Sequence, residues 1–201
     1  MSAARQPSAP DRRLRRRPWA EAELASLDFE TTGLDLKRDH VVSFGVVPIR
    51  SGRVVVGEAV HQLVEPLAPP SRVSVTVHGI RPQDLGGAPT LEEARETLRA
   101  ALDRRYVLAW YAGLELAFLR RMFGGSARSW TIRTIDVQRL ALRADGREEK
   151  GLSLTSCAER HGVPVASPHD ALDDALVTAQ LFLVLAHRLG LRTVAELHRA
   201  R

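Results

Sequence analysis

LDFETTGL, residues 27–34, sets two acids two positions apart in an otherwise apolar run. On an extended strand the side chains of Asp28 and Glu30 leave one face, and those of Leu27 and Phe29 leave the other. Two neighbouring carboxylates at a strand end repel each other and add nothing to packing. On a solvated edge strand they would need no explanation. The apolar residues before them instead describe a central strand, where paired acids mostly serve divalent cations. The Thr31-Thr32-Gly33 turn that follows lets a ligand come close to the backbone.

Working outward, VVSFGVVPI, RSGR and VVVGEAVHQLV (41–64) read as a hairpin of two β-rich runs about a Ser-Gly turn. EPLAPPSR is a Pro-rich loop. Thr90 and Glu93 form a capping box opening a helix whose Leu91, Ala94, Leu98, Ala101 and Leu102 keep a helical period. YVLAW is a fourth strand, a helix over 113–123 stops at Gly124-Gly125, and TIRTID is a fifth strand. A helix follows, then a charged loop around ADGREEKG, a short helix ending at Gly162, and a long helix over about 170–189. Thr193 and Glu196 resemble a second capping box. Antiparallel strands followed by alternating helix and strand predict one α/β domain with a mixed five-stranded sheet flanked by helices. The expected division is a disordered basic arm over 1–19, a domain over 20–190 and a C-terminal tail over 191–201.

Two further acids are turned inward by their helices. In AWYAGLELAFLRRMF (109–123), Arg120 and Arg121 mark the solvent arc, and Glu115 falls nearly opposite, among Phe118, Leu119 and Met122. In PHDALDDALVTAQLFL (168–183), Asp173 and Gln180 lie on the solvent stripe with His187, whereas Asp174 shares the apolar face with Val177, Leu181 and Leu185. Asp170 is placed to cap the helix, and His169 stands just before it. Four inward carboxylates, Asp28, Glu30, Glu115 and Asp174, with no matching buried lysines, call for cations. All-oxygen ligation selects two Mg²⁺ or Mn²⁺ ions over zinc. Such a pair suits phosphoester hydrolysis, with His169 taking a proton from the attacking water.

The gross numbers agree with a single domain. The chain has 201 residues, 44% hydrophobic and 26% charged, with a net charge of +5. No apolar run approaches a membrane span of about 18 residues, and no apolar stretch follows the basic N-terminus to form a secretory signal. The single Cys157 forms no intrachain disulfide and no Cys-type zinc site. A cytoplasmic location is the simplest expectation. Of 29 basic residues only Lys37 and Lys150 are lysines, leaving 27 arginines. Six of these (Arg5, Arg12, Arg13, Arg15, Arg16, Arg17) fall in the first 17 residues, in a segment suited to nonspecific phosphate contact or to no role at all.

On these residues the chain resembles the DnaQ-like DEDDh 3′→5′ exonucleases, from about residue 24 to 190. LDFETTGL looks like the first motif of that family and HDALDDA (169–175) like the third, with its His-x₄-Asp spacing. VHGIRPQDL (77–85) and GLSLTSCAERHGV (151–163) match as supporting stretches. The resemblance implies an RNase H-like fold and two metal ions held by Asp28, Glu30, Asp174 and the second-motif acid, with His169 as general base. It also implies mononucleotide release from 3′ ends of DNA or RNA. Thr31, Thr32, Gly33, Leu34 and His78 would line the pocket of the terminal nucleotide, and Asp136 reads as structural. The second motif departs from the family pattern. Relatives commonly carry His-Asn and then Phe-Asp, where this chain has Trp110-Tyr111 and Leu114-Glu115. Glu115 is one methylene longer, so one alternative is a catalytically weak or inactive nucleic-acid-binding or interaction module of the same fold; an RNA-directed exonuclease is another. The FETTGL form resembles the DNA-proofreading type. With about 11 residues after Gly190, a stand-alone enzyme, or one contacting a polymerase through its own surface, is expected over one with a docking tail.

Overall fold

The computed structural model describes residues 5–146 and 151–199, so part of the charged ADGREEKG loop lies outside the described residues. The first strand, β1 (Leu24–Thr31), is central. It pairs antiparallel with β2 (Val41–Arg50), which turns through Ser51-Gly52 into the two-residue β3 (Arg53–Val54). A 3-10 turn at Val56–Glu58 precedes β4 (Val60–Leu63), which pairs with the other half of β2. The run expected as one third strand is therefore split in two, and both pieces border the same long partner. After α1 (Arg72–His78) and α2 (Leu91–Leu102) comes β5 (Tyr106–Ala109), parallel to β1. Helices α3 (Ala112–Phe123) and α4 (Ala127–Thr131) lead to β6 (Thr134–Asp136), parallel to β5. Then follow α5 (Val137–Asp145), α6 (Leu154–Arg160), α7 (Ala171–Arg188) and α8 (Val194–Arg199). The sheet order is β3-β2-β1-β5-β6, with β4 beside β2, a mixed sheet between two helical layers.

Alternation along β1 sorts the two layers. Ala25, Leu27 and Phe29 join the core under α2 and α3, with Val107, Phe118, Leu119 and Trp130. Leu24, on the opposite face, joins the core under α5–α8, with Ile135, Leu140, Phe182 and Leu185. Asp28 and Glu30 continue that second face beyond the core, toward the start of α7. The capping box of α2 forms as expected, with the Thr90 N–H donating to Glu93 at 2.8 Å and the Glu93 N–H donating to the Thr90 hydroxyl at 3.4 Å. No element was expected over 72–78. There β-branched residues conceal a helix that Ser71 caps and that the Ser74 hydroxyl ties to the Thr32 carbonyl at 2.6 Å.

The segment 5–17, expected as a disordered arm, lies against the domain. Arg12–Arg16 form a 3-10 helix with Asp11 as its cap. The Arg104 N–H donates to the Ser8 carbonyl at 3.0 Å, and the Ser8 N–H donates to Asp103 at 2.7 Å. Farther on, Trp19 donates its indole N–H to the Leu191 carbonyl at 2.8 Å and packs edge-on against Phe182. The composition contained no such signal, because the anchors are backbone groups and carboxylates more than 90 residues away.

Candidate active site

Four carboxylates converge where β1 ends. Asp28 sits opposite Gly45 in the β1–β2 ladder, and Glu30 sits opposite Ser43. Gly45 matters because it faces the first turn of α7. A Cβ added there would fall on the Ala171 carbonyl and the Leu172 Cα. Without that Cβ, α7 lies directly on the sheet, and Asp174, one turn further along, comes down beside β1. Among the described residues, ligand atoms of Glu30, His169 and Asp174 lie within 4.8 Å of one another. Asp28 and Glu115 stand outside that tight group but share its field. The Asp28 carboxyl is held well above its usual range, first by burial, then by Glu115, Glu30, Asp174 and Asp170.

Burial dominates the whole cluster. It pushes Glu30 up to about 8, with Asp174 and Asp170 adding repulsion. It pushes Asp174 up to about 6, partly opposed by the His169 backbone N–H and the His169 ring. Glu115, only 3% exposed, is raised to about 8 by burial, and Asp136 raises it further. Its Oε2 is buried and has no hydrogen-bond partner. The helical wheel's inward placement of Glu115 therefore holds. Its face of α3 also buries Phe118, Leu119, Met122 and Phe123. An orphaned carboxylate oxygen beside Asp28 and Asp136, with no lysine or arginine among the described residues offsetting Asp28 or Glu30, makes a donor set short of positive charge. Divalent cations fit it. A hard, all-oxygen set matches Mg²⁺ or Mn²⁺, and a bound ion would lower the acids' affinity for protons.

The loop before α7 is tied down by the acids of the helix. Asp170 caps α7, accepting from the Leu172 and Asp173 N–H groups, each at 3.0 Å. Asp173, expected on the solvent stripe, accepts from Ala166 N–H at 3.1 Å and Ser167 N–H at 2.8 Å. Asp174 accepts from the His169 N–H at 3.0 Å. These bonds hold His169 at φ 64°, a left-handed conformation that costs a non-glycine residue free energy. The His169 ring remains exposed, placed to exchange a proton with a ligand between it and Glu30. No residue pattern around His169 signals this backbone conformation.

The turn after β1 is equally fixed. The Thr32 hydroxyl donates to Asp39 at 2.7 Å and accepts from the His40 N–H at 3.0 Å. Asp39 also accepts from the Asp35 N–H at 2.7 Å. A Cβ on Gly33 would meet this carboxylate, so a larger residue there would displace Asp39 and loosen the turn. His78 bridges the turn to α1. Its Nε2 donates to the Thr31 carbonyl at 3.2 Å, while its Nδ1 accepts from the Ile80 N–H at 3.1 Å. That pattern defines the neutral tautomer, and burial, with the nearby His169, lowers the pKa of His78. Leu34 stands 79% exposed. Thr31, Thr32, Gly33, Leu34 and His78 thus form one buttressed ledge beside the carboxylates.

Asp136 fills the structural role expected of it. It ends β6 and caps α5, accepting from the Arg139 N–H at 3.1 Å. The Ala112 N–H at the start of α3 also donates to it, so it steers the helix that bears Glu115 and adds negative charge beside it. Its signal in the sequence was only an acid at the end of a strand. Trp110 is buried and Tyr111 is 59% exposed at the start of α3.

Known proteins share this arrangement of elements. The Exonuclease (RNase T) family matches residues 26–182. A DNA polymerase III PolC-type protein of Thermotoga maritima is 31% identical over 190 residues, covering 91% of this chain and 13% of that protein. A DNA polymerase III subunit epsilon-like protein of Rhodobacter capsulatus is 32% identical over 178 residues, covering 87% of this chain and 25% of that protein. This chain thus spans a quarter or less of those relatives. Among solved structures, the zinc-bound complex of E. coli exonuclease I with single-stranded DNA superposes with a TM-score of 0.71 at 17% identity, covering 85% of this chain and 42% of that one. Exonuclease X in complex with 5′-overhanging duplex DNA superposes with a TM-score of 0.66 at 22% identity, covering 87% and 99%. The α/β fold with its mixed sheet is shared with both. Among the described residues no helix is long and apolar enough to cross a membrane. The chain belongs to the RNase T, DnaQ-like exonuclease family.

Proposed function

We propose that the chain is a divalent-metal-dependent 3′→5′ exonuclease that hydrolyses the terminal phosphodiester of a nucleic-acid strand, with single-stranded DNA favoured. The observation that carries this reading is the partnerless, buried Glu115 Oε2, with Glu115, Glu30 and Asp174 all bearing on the Asp28 carboxyl. Four acids without a counter-cation are costly to keep unless the ligand supplies the charge. The four carboxylates would hold two Mg²⁺ or Mn²⁺ ions, which when bound supply a polarised water and charge at the leaving oxygen. The protein's own groups do the rest. His169 takes the proton of the attacking water, the Thr31–Leu34 ledge and His78 seat the terminal nucleotide, and α7 keeps Asp174 against β1. Water adds to phosphorus, the P–O3′ bond breaks and the 3′ oxygen takes a proton, giving a nucleoside monophosphate and a strand one residue shorter. The fold shared with exonuclease I, crystallised with single-stranded DNA, supports the substrate choice.

One observation favours a second reading, a binding module with weak or no turnover. Asp28 and the longer Glu115 lie outside the 4.8 Å group that Glu30 and Asp174 form with His169. The test is mononucleotide release from 3′-labelled single-stranded DNA, duplex DNA and RNA, with Mg²⁺ and with Mn²⁺. Release that Asp28→Ala abolishes supports the enzyme. No release from any of them, with activity emerging in Glu115→Asp, supports the binding module. RNA cleaved faster than DNA would overturn the substrate choice alone.

A further inference from the structure

Arginines gather at the other end of the sheet. Tyr106 pairs with Leu24 at the start of β1, six residues before Glu30, or about 20 Å along the strand. A cavity of about 520 Å³ opens there, lined by Arg12, Arg15, Arg128 and Arg133 together with Tyr106 and Ser129. Among the described residues no carboxylate lines it. The nearby acids are engaged elsewhere, Asp11 by the Arg13 N–H and Asp103 by the Ser8 N–H and Arg104.

Arg133 is the feature that marks this as more than a basic surface. It is 5% exposed, and its Nε has no hydrogen-bond partner. Its Nη1 donates to the Pro7 carbonyl at 3.1 Å, and its Nη2 donates to the Leu102 and Arg105 carbonyls at 2.9 and 3.1 Å. The guanidinium stacks on Trp130 at 4.9 Å. It is held rigidly in a dry setting, its Nε buried and unpartnered and no carboxylate hydrogen-bonded to it, with Asp103 near enough to act on its charge. Neutral carbonyls and the field of Asp103 offset this buried cation only in part, so an anion in the cavity would be drawn to it.

Arg15 also lines an adjoining cavity of about 540 Å³, with Arg16, Arg199 and Glu196, whose carboxylate is taken up by the Arg192 and Thr193 N–H groups. The basic groups therefore form a row from Arg128 across the 3-10 helix to α8. A row fits a chain of phosphates better than a single one, and the arginine fork matches phosphate oxygens in pairs.

We propose that this row is a second nucleic-acid-binding surface, which grips the phosphodiester backbone of a strand at the end of the domain opposite the carboxylates. Contact is electrostatic and independent of sequence, and the N-terminal segment completes the surface by docking Arg12 and Arg15 beside Arg133. It rests on the proposed function only for the class of ligand, and needs no turnover.

The test is fluorescence anisotropy with a labelled single strand of about 20 nucleotides, in EDTA, over a series of salt concentrations. Arg12→Ser/Arg128→Ser removes two exposed charges, and Arg53→Ser/Arg143→Ser removes two charges elsewhere. The first variant is expected to weaken binding and to flatten the slope of log K against log salt by about 0.7 for each phosphate no longer neutralised. The second is expected to keep the slope. Restoring charge with Arg12→Lys/Arg128→Lys should return most of it. Equal weakening in both double variants, or none in the first, overturns the proposal. Competition by mononucleotide or inorganic phosphate at concentrations matching strand phosphate would show a small-anion site instead, and displacement by polyglutamate but not polyphosphate would show an acidic protein surface. Either result overturns the assignment to a strand. Hydrolysis without the slope change overturns this surface and leaves the enzymatic reading intact. The slope change without hydrolysis supports this surface and counts against the enzymatic reading alone.

Discussion

The two ends of the sheet present opposite versions of one electrostatic problem. Where β1 ends, burial crowds acids together and pushes Glu30 and Glu115 up to about 8. Where β5 begins, burial pushes the Arg133 guanidinium down to about 10. Neither end is fully neutralised within the fold, since Asp103 offsets Arg133 only in part, and the two are supported differently. Arg133 is bound by three backbone carbonyls and a ring, so its geometry stands without a ligand. Glu115 has an unpartnered oxygen, and the acids around it repel one another. On the proposed readings, the basic end waits for an anion, whereas the acidic end is short of a cation.

The largest effect that would break this contrast is on chemistry. Asp174→Asn keeps the shape of the side chain but removes a charge from the acidic group proposed to hold the ions. It should lower mononucleotide release by roughly 10²-fold or more, since displaced catalytic geometry alone reaches that scale. An unchanged rate would remove the acidic end from catalysis. Next is Gly45→Ala. Its added methyl meets the backbone of α7, so overpacking should cost about 1–3 kcal/mol, seen as a lower thermal midpoint together with weaker Mn²⁺ binding by calorimetry. A variant as stable as the parent would show that α7 is not seated by this contact.

The third measurement reads the acids without chemistry. Carboxyls whose folded pKa is raised keep protons that the unfolded chain has released, so metal-free stability should fall as pH rises from about 4.5 to about 8. Added Mg²⁺ or Mn²⁺ should raise the midpoint more at pH 8 than at pH 5, with each kcal/mol worth about 2–4 °C at this size. A metal-free midpoint that climbs across the same range would contradict the burial argument. The smallest effect belongs to the basic end. Arg133→Lys keeps the charge but gives up part of the carbonyl fork, costing about 1 kcal/mol with no dependence on divalent ions. A metal-dependent cost there would mean that the two ends are coupled.

How much of this was legible varied with the range of the interaction concerned. Period-two and period-3.6 patterns turned Asp28, Glu30, Glu115 and Asp174 inward, because each lies on a regular element whose other side chains reveal its inner face; Glu30 and Glu115 are buried and Asp28 and Asp174 half-buried. The capping box at Thr90 was legible for the same local reason. Helix α1 was not. Its Val73, Val75 and Val77 favour strands, and a tertiary bond from Ser74 to the Thr32 carbonyl decides the matter. The split of the third strand, the left-handed His169 and the docking of residues 5–17 were hidden likewise. Each depends on partners distant in sequence or on backbone torsions, which no residue pattern encodes.

Gly45 carries the last consequence. Asp28 rides on a strand and Asp174 on a helix, so the gap between them is a layer spacing rather than a property of either residue. That spacing is metered from the neighbouring strand, by a methyl group that is missing. An inventory of ligands would omit the position altogether, and a substitution there would be filed as a core defect. Yet the size of whatever the acids share is set at Gly45, by the one participant with no side chain to donate.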